Sequence, residues 1–149
     1  QEDAEKFRCR LESMVEMTGN LYYLPPVFSY PDMEEIDEKT WQAFLRKIIR
    51  ETDYEVIILD LTEQVRGLFS LLELCDEIYS CIPKDGLAMA KMEQYKKLLS
   101  HIKKEDLLSK TKECKIPVFK EFSYQAALYT HTELADYVQK LMEKEEEDE

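Results

Sequence analysis

The spacing of hydrophobic residues predicts several amphipathic helices along the chain. The clearest one has apolar residues at i, i+3, i+4, i+7 and i+8, which is the pattern of a single buried helical face. These residues are Trp41, Phe44, Leu45, Ile48 and Ile49. Asp37 or Thr40 precedes them and is predicted to cap the start of the helix, since both residue types accept hydrogen bonds from backbone N–H groups.

Weaker periodicity predicts five further helical segments. The first begins near Ala4, keeps Thr18 on its apolar face and is ended by Gly19-Asn20 as a left-handed cap. The last begins at the capping box Thr130 to Glu133. The other predicted segments are Gly67 to Leu74, a long helix opened by Asp85-Gly86, and Lys104 to Lys112.

The stretch from Tyr54 to Leu61 predicts a buried strand. Its four consecutive apolar residues, three of them β-branched, are typical of a strand buried on both faces of a parallel sheet. Asp60 follows them at the carboxyl end, the edge where open α/β sheets place their ligands. Further strands are predicted at Leu21 to Leu24, Asp76 to Ile82, and Ile116 to Phe119.

Strands therefore alternate with helices, and the predicted connections are too long for hairpins. This alternation predicts an α/β fold with three layers, in which a mostly parallel sheet is flanked by helices in a Rossmann-like arrangement. With 149 residues the chain is long enough for one domain with a real core. We expect residues 1–142 to form a single α/β domain, or a fragment of a larger one, followed by an acidic tail at residues 143–149.

The charge of the chain excludes one class of partner. The formal net charge is −12, and the residues from Glu143 to the end are all acidic except Lys144. Because the body of the chain is acidic as well, a phosphate backbone would be repelled on average, so no nucleic-acid partner is expected.

Other sequence features limit the expected location of the protein and its possible metal sites. No apolar run reaches the length of a membrane span and no signal-peptide pattern opens the chain, so we expect a cytoplasmic protein without an integral membrane segment. The four cysteines form no C-x-x-C pair, and only two histidines are present, which argues against a zinc site. Buried, reduced thiols are the favoured interpretation.

The order of four short motifs resembles a known family. Asn20 to Pro26 is similar to an "N-L-x-x-L-P" strand, and Asp53 to Asp60 resembles a "Y-D-x-I-I-I-D" strand. Leu74 to Tyr79 resembles an "A-D-x-x-x-x-V" strand, and Ile82 to Leu87 resembles the loop and helix start that follow it. Together they resemble the carboxyl-terminal half of a MinD/ParA-type P-loop ATPase domain, and most closely the divergent pilus-assembly members of the CpaE/TadZ type.

The chain departs from that family in its phosphate-binding parts. It contains no G-x-x-x-x-G-K-[ST] loop, and its only glycines are Gly19, Gly67 and Gly86. The backbone cradle and the lysine that hold phosphates are therefore missing, and hydrolysis by this chain alone is excluded. ATP and magnesium are expected as cofactors only if a P-loop half is present. Because the chain begins at Gln1, we interpret it as a piece of a longer protein.

The resemblance also implies candidate site residues. In the family, the aspartate at the position of Asp60 helps to organise the magnesium shell around the nucleotide phosphates. Glu63 in the following loop and Asp85 at the next helix start would be its neighbours. The competing interpretations are a solvated carboxylate at a strand end for Asp60, a surface position for Glu63, and a helix N-cap for Asp85.

Three functional hypotheses follow. The first is a MinD/ParA-like module for localisation and assembly, without catalysis of its own, that binds a protein partner or forms a homodimer. The second is one half of an active ATP-hydrolysing switch whose P-loop lies upstream. The third, a receiver-type signalling module, requires paired acidic residues after the first strand, where this chain has Pro25-Pro26.

Overall fold

The computed structural model describes residues 2–26, 35–62, 65–83, 85–116 and 132–143. These residues form a mixed α/β structure, which confirms the fold class at that level. The elements are α1 (Glu2–Met14), β1 (Glu16–Thr18), β2 (Leu21–Tyr23), α2 (Glu38–Glu51), α3 (Leu68–Leu74), β3 (Ile78–Pro83), α4 (Gly86–His101), α5 (Asp106–Ser109), β4 (Thr111–Ile116) and α6 (Glu133–Glu143). The chain divides into two compact units, one of residues 1–14 and 25–116, the other of residues 15–24 and 117–149.

The first unit contains a parallel strand pair. β3 and β4 run side by side, with Ile78 opposite Thr111 and Pro83 opposite Ile116, and α4 and α5 connect them. This register confirms the expected parallel pairing for these two strands. A parallel pair needs a long crossover connection, and α4 and α5 supply it here.

The position of β4 differs from the prediction. The strand expected at Ile116 to Phe119 begins at Thr111 instead, and the helix expected to continue to Lys112 ends at Ser109. Backbone pairing explains the shift, since the N–H of Ile78 already donates to the carbonyl of Lys110 at 2.8 Å. Residues 117–119 lie outside the described residues.

The core of this unit is formed by leucines from the helices around the strand pair. Leu71 of α3, Leu99 of α4 and Leu107 of α5 are 1%, 0% and 0% exposed. The Ser80 hydroxyl donates to Met92 Sδ at 3.7 Å, which places α4 against β3. The three leucines lie in three of the segments that the sequence predicted as helices.

An ion pair joins α4 to β4. Lys96 Nζ lies 2.7 Å from Glu113 Oε1 and 3.0 Å from Glu93 Oε1. The hydrogen bond from Lys96 holds the pKa of the Glu113 carboxyl below its ordinary value, and the two carboxylates raise the pKa of Lys96. Both side chains contact water, so this pair contributes little to stability.

α1 packs against α2, and each helix was predicted to have an apolar face. Leu11 of α1 is buried, as are Leu45 and Ile48 of α2, and the rings of Phe7 and Phe44 meet edge to face at 6.3 Å between centroids. Asp37 is the N-cap of α2 and accepts a hydrogen bond from the N–H of Thr40 at 2.7 Å. That bond lowers the pKa of the Asp37 carboxyl.

The end of α4 is a Schellman motif with an unusual residue. The N–H of Lys104 donates to the carbonyl of Leu99 at 2.9 Å, and the N–H of Lys103 donates to that of Ser100 at 3.2 Å. Lys103 occupies the left-handed position, with φ 57°. Glycine is the common residue at this position because a Cβ atom is strained there.

We therefore expect Lys103→Gly to stabilise the fold by about 1 kcal/mol, because it removes the Cβ strain of a left-handed residue. Urea denaturation followed by circular dichroism measures the change. Lys103→Ala removes the same charge but keeps the Cβ atom, so it should give no such gain. Equal stabilisation by both variants would contradict the backbone explanation.

The second unit contains a hairpin that the sequence did not predict. β1 and β2 are antiparallel, with Thr18 opposite Leu21, so Gly19 and Asn20 form a two-residue turn. Gly19 has φ +60°, which fits the first central position of a type II′ turn. Two predictions are thus wrong: the opening helix ends at Met14 rather than at Gly19, and the strand beginning at Leu21 is not part of a parallel sheet.

The final helix, α6, is confirmed, with a different cap. The hydroxyl of Thr132 accepts a hydrogen bond from the N–H of Ala135 at 3.4 Å. Thr130, the expected cap, lies outside the described residues. Within the described residues, no helix combines the length and the apolarity needed to cross a membrane.

Candidate functional site

The stretch that most strongly predicted a buried strand is neither a strand nor buried. Residues 54–61 are assigned to no helix or strand, and they join no ladder with any strand in the described part of the chain. Val56 is 75% exposed and Ile58 is 80% exposed, while Ile57 is 36% exposed. The prediction of a central strand is therefore wrong for the chain as described. The physical reason is that a strand requires hydrogen-bonded neighbours, and the described residues supply none here.

Both ends of this apolar segment, residues 54–61, are anchored. Before it, α2 ends at Thr52, whose N–H and hydroxyl both donate to the carbonyl of Ile48 at 3.0 and 2.8 Å. After it, Gly67 starts α3 with φ 73°, so close to α2 that a Cβ atom there would lie 2.7 Å from Glu38 Cβ. The segment therefore spans two helices that pack against each other.

An exposed apolar run of this kind has burial energy still to gain. Fully burying a valine or isoleucine side chain is worth about 1.5–3 kcal/mol relative to leaving it in water. Backbone N–H and C=O groups outside any sheet can also pair with a further strand if they take up an extended conformation. The segment therefore offers both apolar area and strand-pairing groups to a partner.

The three candidate carboxylates have different outcomes. Asp60 is exposed and directly follows the apolar run Val56 to Leu59, as expected, but this run is not part of a sheet in the described residues. Glu63 lies outside the described residues. Asp85 is the N-cap of α4 and accepts a hydrogen bond from the N–H of Ala88 at 2.7 Å. The capping interpretation of Asp85 is confirmed, and a role near a nucleotide stays a prediction for all three.

A protein metal site needs several ligand side chains close together. The described residues contain no group of three or more histidine, cysteine, aspartate or glutamate side chains that could hold a metal ion. The magnesium neighbourhood implied by the resemblance is thus not assembled from these residues alone.

The capping role of Asp85 gives a testable prediction. Asp85→Ala should destabilise the fold by about 1 kcal/mol, because it removes the side-chain acceptor for an N–H group at the start of α4. Asp85→Asn keeps a capping oxygen and should change the stability by much less. Urea denaturation measures the free energy of unfolding of both variants. A large loss of stability in Asp85→Asn would show that the fold requires the charge of Asp85 and not its capping oxygen.

A shallow groove between α1 and α2 is a weaker candidate. It is lined by Phe7, Asp37, Lys39, Thr40, Ala43, Phe44 and Lys47. Two of its charged groups already have structural partners: Asp37 caps α2, and Lys47 Nζ lies 3.1 Å from Asp3 Oδ2 and 4.8 Å from the centre of the Phe7 ring. The groove therefore presents no set of groups that converges on a ligand.

The cysteines differ from the expectation of buried thiols. Cys114 is buried and Cys75 is half-buried, and burial raises the pKa of the Cys75 thiol. Cys9 and Cys81 are exposed, so the expectation is wrong for these two. Cys81 also lies directly opposite Cys114 in the strand pair. The sequence could not reveal this juxtaposition, because it depends on the register of two strands more than thirty residues apart.

Comparisons with protein-family models, with curated proteins and with solved structures found no match to this chain. The apolar segment is therefore interpreted from its own geometry.

Proposed function

We propose that this chain is the carboxyl-terminal part of a MinD/ParA-like domain, and that it acts as a localisation and assembly module without catalysis of its own. Two observations support the family. The four motifs occur in the family's order, and the third and fourth lie in a unit where β3 and β4 are parallel and joined through helices. In this proposal, residues 54–61 become a strand of a larger, three-layer sheet when they meet a partner.

The observation that carries the proposal is the exposure of the apolar segment. A run that is typical of a strand buried on both faces lies with Val56 and Ile58 largely in water. Burial against another polypeptide would remove these apolar side chains from water. It also supplies the strand neighbour that the described residues lack.

The partner we propose is a second copy of this chain, because the segment is self-complementary. In an antiparallel pairing centred on Ile57, Val56 faces Ile58 of the second copy, so the apolar side chains meet one another. In the same register Glu55 faces Leu59 and Asp60 faces Tyr54. The two acidic residues of the segment are therefore never directly opposite an acidic residue of the second copy.

The overall charge opposes this association and makes it dependent on salt. Each copy carries a net charge of −12, so two copies repel each other at long range. Ionic strength of about 0.1 M shortens the screening length to about 10 Å and weakens this repulsion. We therefore expect added salt to strengthen the dimer, which is the opposite of its effect on an interface formed by ion pairs.

Sedimentation equilibrium over a wide range of protein concentration tests the proposal. The expected result is a monomer–dimer equilibrium that shifts toward the dimer as sodium chloride is added. A chain that stays monomeric at every concentration and salt level would contradict dimerisation through this segment. Binding of ATP with magnesium that Asp60→Ala weakens, measured by calorimetry, would favour the alternative, a part of an ATP-hydrolysing switch.

A further inference from the structure

The helix α4 has one face in the core and another in water. On the inner side, Met92 and Leu99 are 6% and 0% exposed, and the helix packs against β3 and α5. On the outer side, Leu87 and Leu98 are 70% and 43% exposed. About three helical turns, or about 16 Å along the axis, separate these two leucines, so they lie on the same side of the helix. Two large apolar side chains of α4 therefore contact water.

Two cations border these leucines. With about 100° between successive residues of a helix, Lys91 falls on one side of the two leucines and Lys97 on the other. Both lysines are exposed, and neither pairs with a carboxylate of the described residues. Lys96, by contrast, is turned toward β4 and pairs with a carboxylate of that strand. The outer side of α4 therefore presents two leucines between two cations that are available to a partner.

The sign of this surface is opposite to that of the whole chain. We call the surface formed by Leu87, Lys91, Gln94, Lys97 and Leu98 the outer face of α4. The formal net charge of the chain is −12, yet the outer face contains two cations and no carboxylate. At an ionic strength of about 0.15 M, exposed charges more than about 8 Å away are largely screened, so a molecule in contact with α4 interacts mainly with these two lysines. Charge complementarity selects partners and fixes their register, so this face suits a partner with carboxylates.

From these observations we infer that the outer face of α4 is a docking surface for an acidic amphipathic helix of another protein. Leu87 and Leu98 contact the apolar face of that helix, and the two lysines pair with aspartates or glutamates beside it. This inference goes beyond the proposed assembly function, because it uses neither residues 54–61 nor a second copy of the chain.

Gln94 favours a polypeptide over a lipid surface as the partner. It is exposed and lies between the two leucines on the same side of the helix. Sinking the outer face into a membrane would place the Gln94 amide among acyl chains, where an unpaired polar group is costly. A partner helix can instead supply a polar side chain that hydrogen-bonds with this amide.

The binding of two synthetic helical peptides to the full chain, measured by fluorescence anisotropy, tests the inference. Both peptides are as long as α4, which has 16 residues, and both present leucines along one face. Glutamates border the leucines in the acidic peptide, and glutamines border them in the neutral peptide. Although the chain is acidic overall, it should bind the acidic peptide more tightly than the neutral one by about fivefold or more, because two ion pairs form.

Charge reversal on the outer face should remove this preference. Lys91→Glu combined with Lys97→Glu should weaken binding of the acidic peptide by about tenfold or more, since like charges then oppose each other. Lys39→Glu combined with Lys115→Glu is the matched control, because it changes the net charge equally at two exposed lysines of α2 and β4. The control should bind the acidic peptide nearly as the unchanged chain does, and circular dichroism verifies the fold of both variants.

The dimer proposal can fail independently of this inference. Val56→Asp combined with Ile58→Asp should leave binding of the acidic peptide unchanged, whatever its effect on self-association. Absent binding of the acidic peptide, equal affinity for both peptides, or equal losses in the two lysine variants would overturn the inference. Binding to vesicles of phosphatidylglycerol that is lost in Lys91→Glu with Lys97→Glu would show a lipid surface as the partner, which would overturn it as well.

Discussion

Replacing Val56 and Ile58 together by aspartate should abolish the self-association of the chain without unfolding it. The two side chains are 75% and 80% exposed, so the substitutions remove no core contact. In the proposed register each residue faces the other across the two-fold axis, so the variant opposes like charges directly. Loss of four apolar side chains at about 1.5–3 kcal/mol each should weaken the dimer by more than about a thousandfold.

Leu87→Asp is the matched control for this double variant. Leu87 lies on α4 and is 70% exposed, which is close to the exposure of Val56 and Ile58. The control substitution therefore adds a charge at an exposed apolar position away from the apolar segment. Sedimentation equilibrium should show a dimer for Leu87→Asp and a monomer for the double variant. A double variant that dimerises as the unchanged chain does would show that the association uses another surface.

Leu99→Ala should be among the most damaging single substitutions for the fold, with an expected loss of about 2–5 kcal/mol in the free energy of unfolding. Leu99 is fully buried, in the same unit as the buried Leu71 and Leu107. Removing its side chain takes apolar atoms from the core and leaves a cavity that the surrounding helices can only partly fill.

The neighbouring residue provides the comparison. Leu98 belongs to the same helix and is 43% exposed. Leu98→Ala should cost far less, because alanine is at least as good a helix former and little burial is lost. Urea denaturation of both variants measures the difference. Similar losses for the two variants would contradict the placement of Leu99 in the core.

Helical periodicity predicted where the described helices lie, although it extended α1 and α5 beyond their ends at Met14 and Ser109. The burial of one helical face produces the spacing of apolar residues from which a helix is predicted. The stripe from Trp41 to Ile49 lies in α2 with Leu45 and Ile48 buried, whereas Ile49, which the periodicity placed on the buried face, is 60% exposed. Asp85 caps α4. These features depend on residues a few positions apart, so the sequence contains the information needed to predict them.

Strand predictions were less successful, because a strand is defined by a partner that can lie far away in the sequence. The residues Leu21–Tyr23 pair with the residues just before them through the turn at Gly19. Thr111–Ile116 starts earlier than expected because it pairs with β3. Residues 54–61 have the composition of a buried strand and lack a neighbour in the described structure.

The candidate site could be predicted only in part for the same reason. The sequence identified the apolar segment and placed Asp60 at its end, whereas the exposure of Val56 and Ile58 required the structure. Local spacing also gave the capping role of Asp85. The pairing of Cys81 with Cys114 depends on strand register, which no local pattern encodes.

Hydrogen–deuterium exchange of the backbone amides of residues 55–59, measured as protein concentration rises, tests the central claim most directly. If this segment becomes a strand between two copies, its amides should exchange rapidly in dilute solution and become protected as the dimer forms. The amides of β3 should change little, since they already belong to a ladder. Rapid exchange of residues 55–59 at concentrations where the chain is dimeric would contradict the claim.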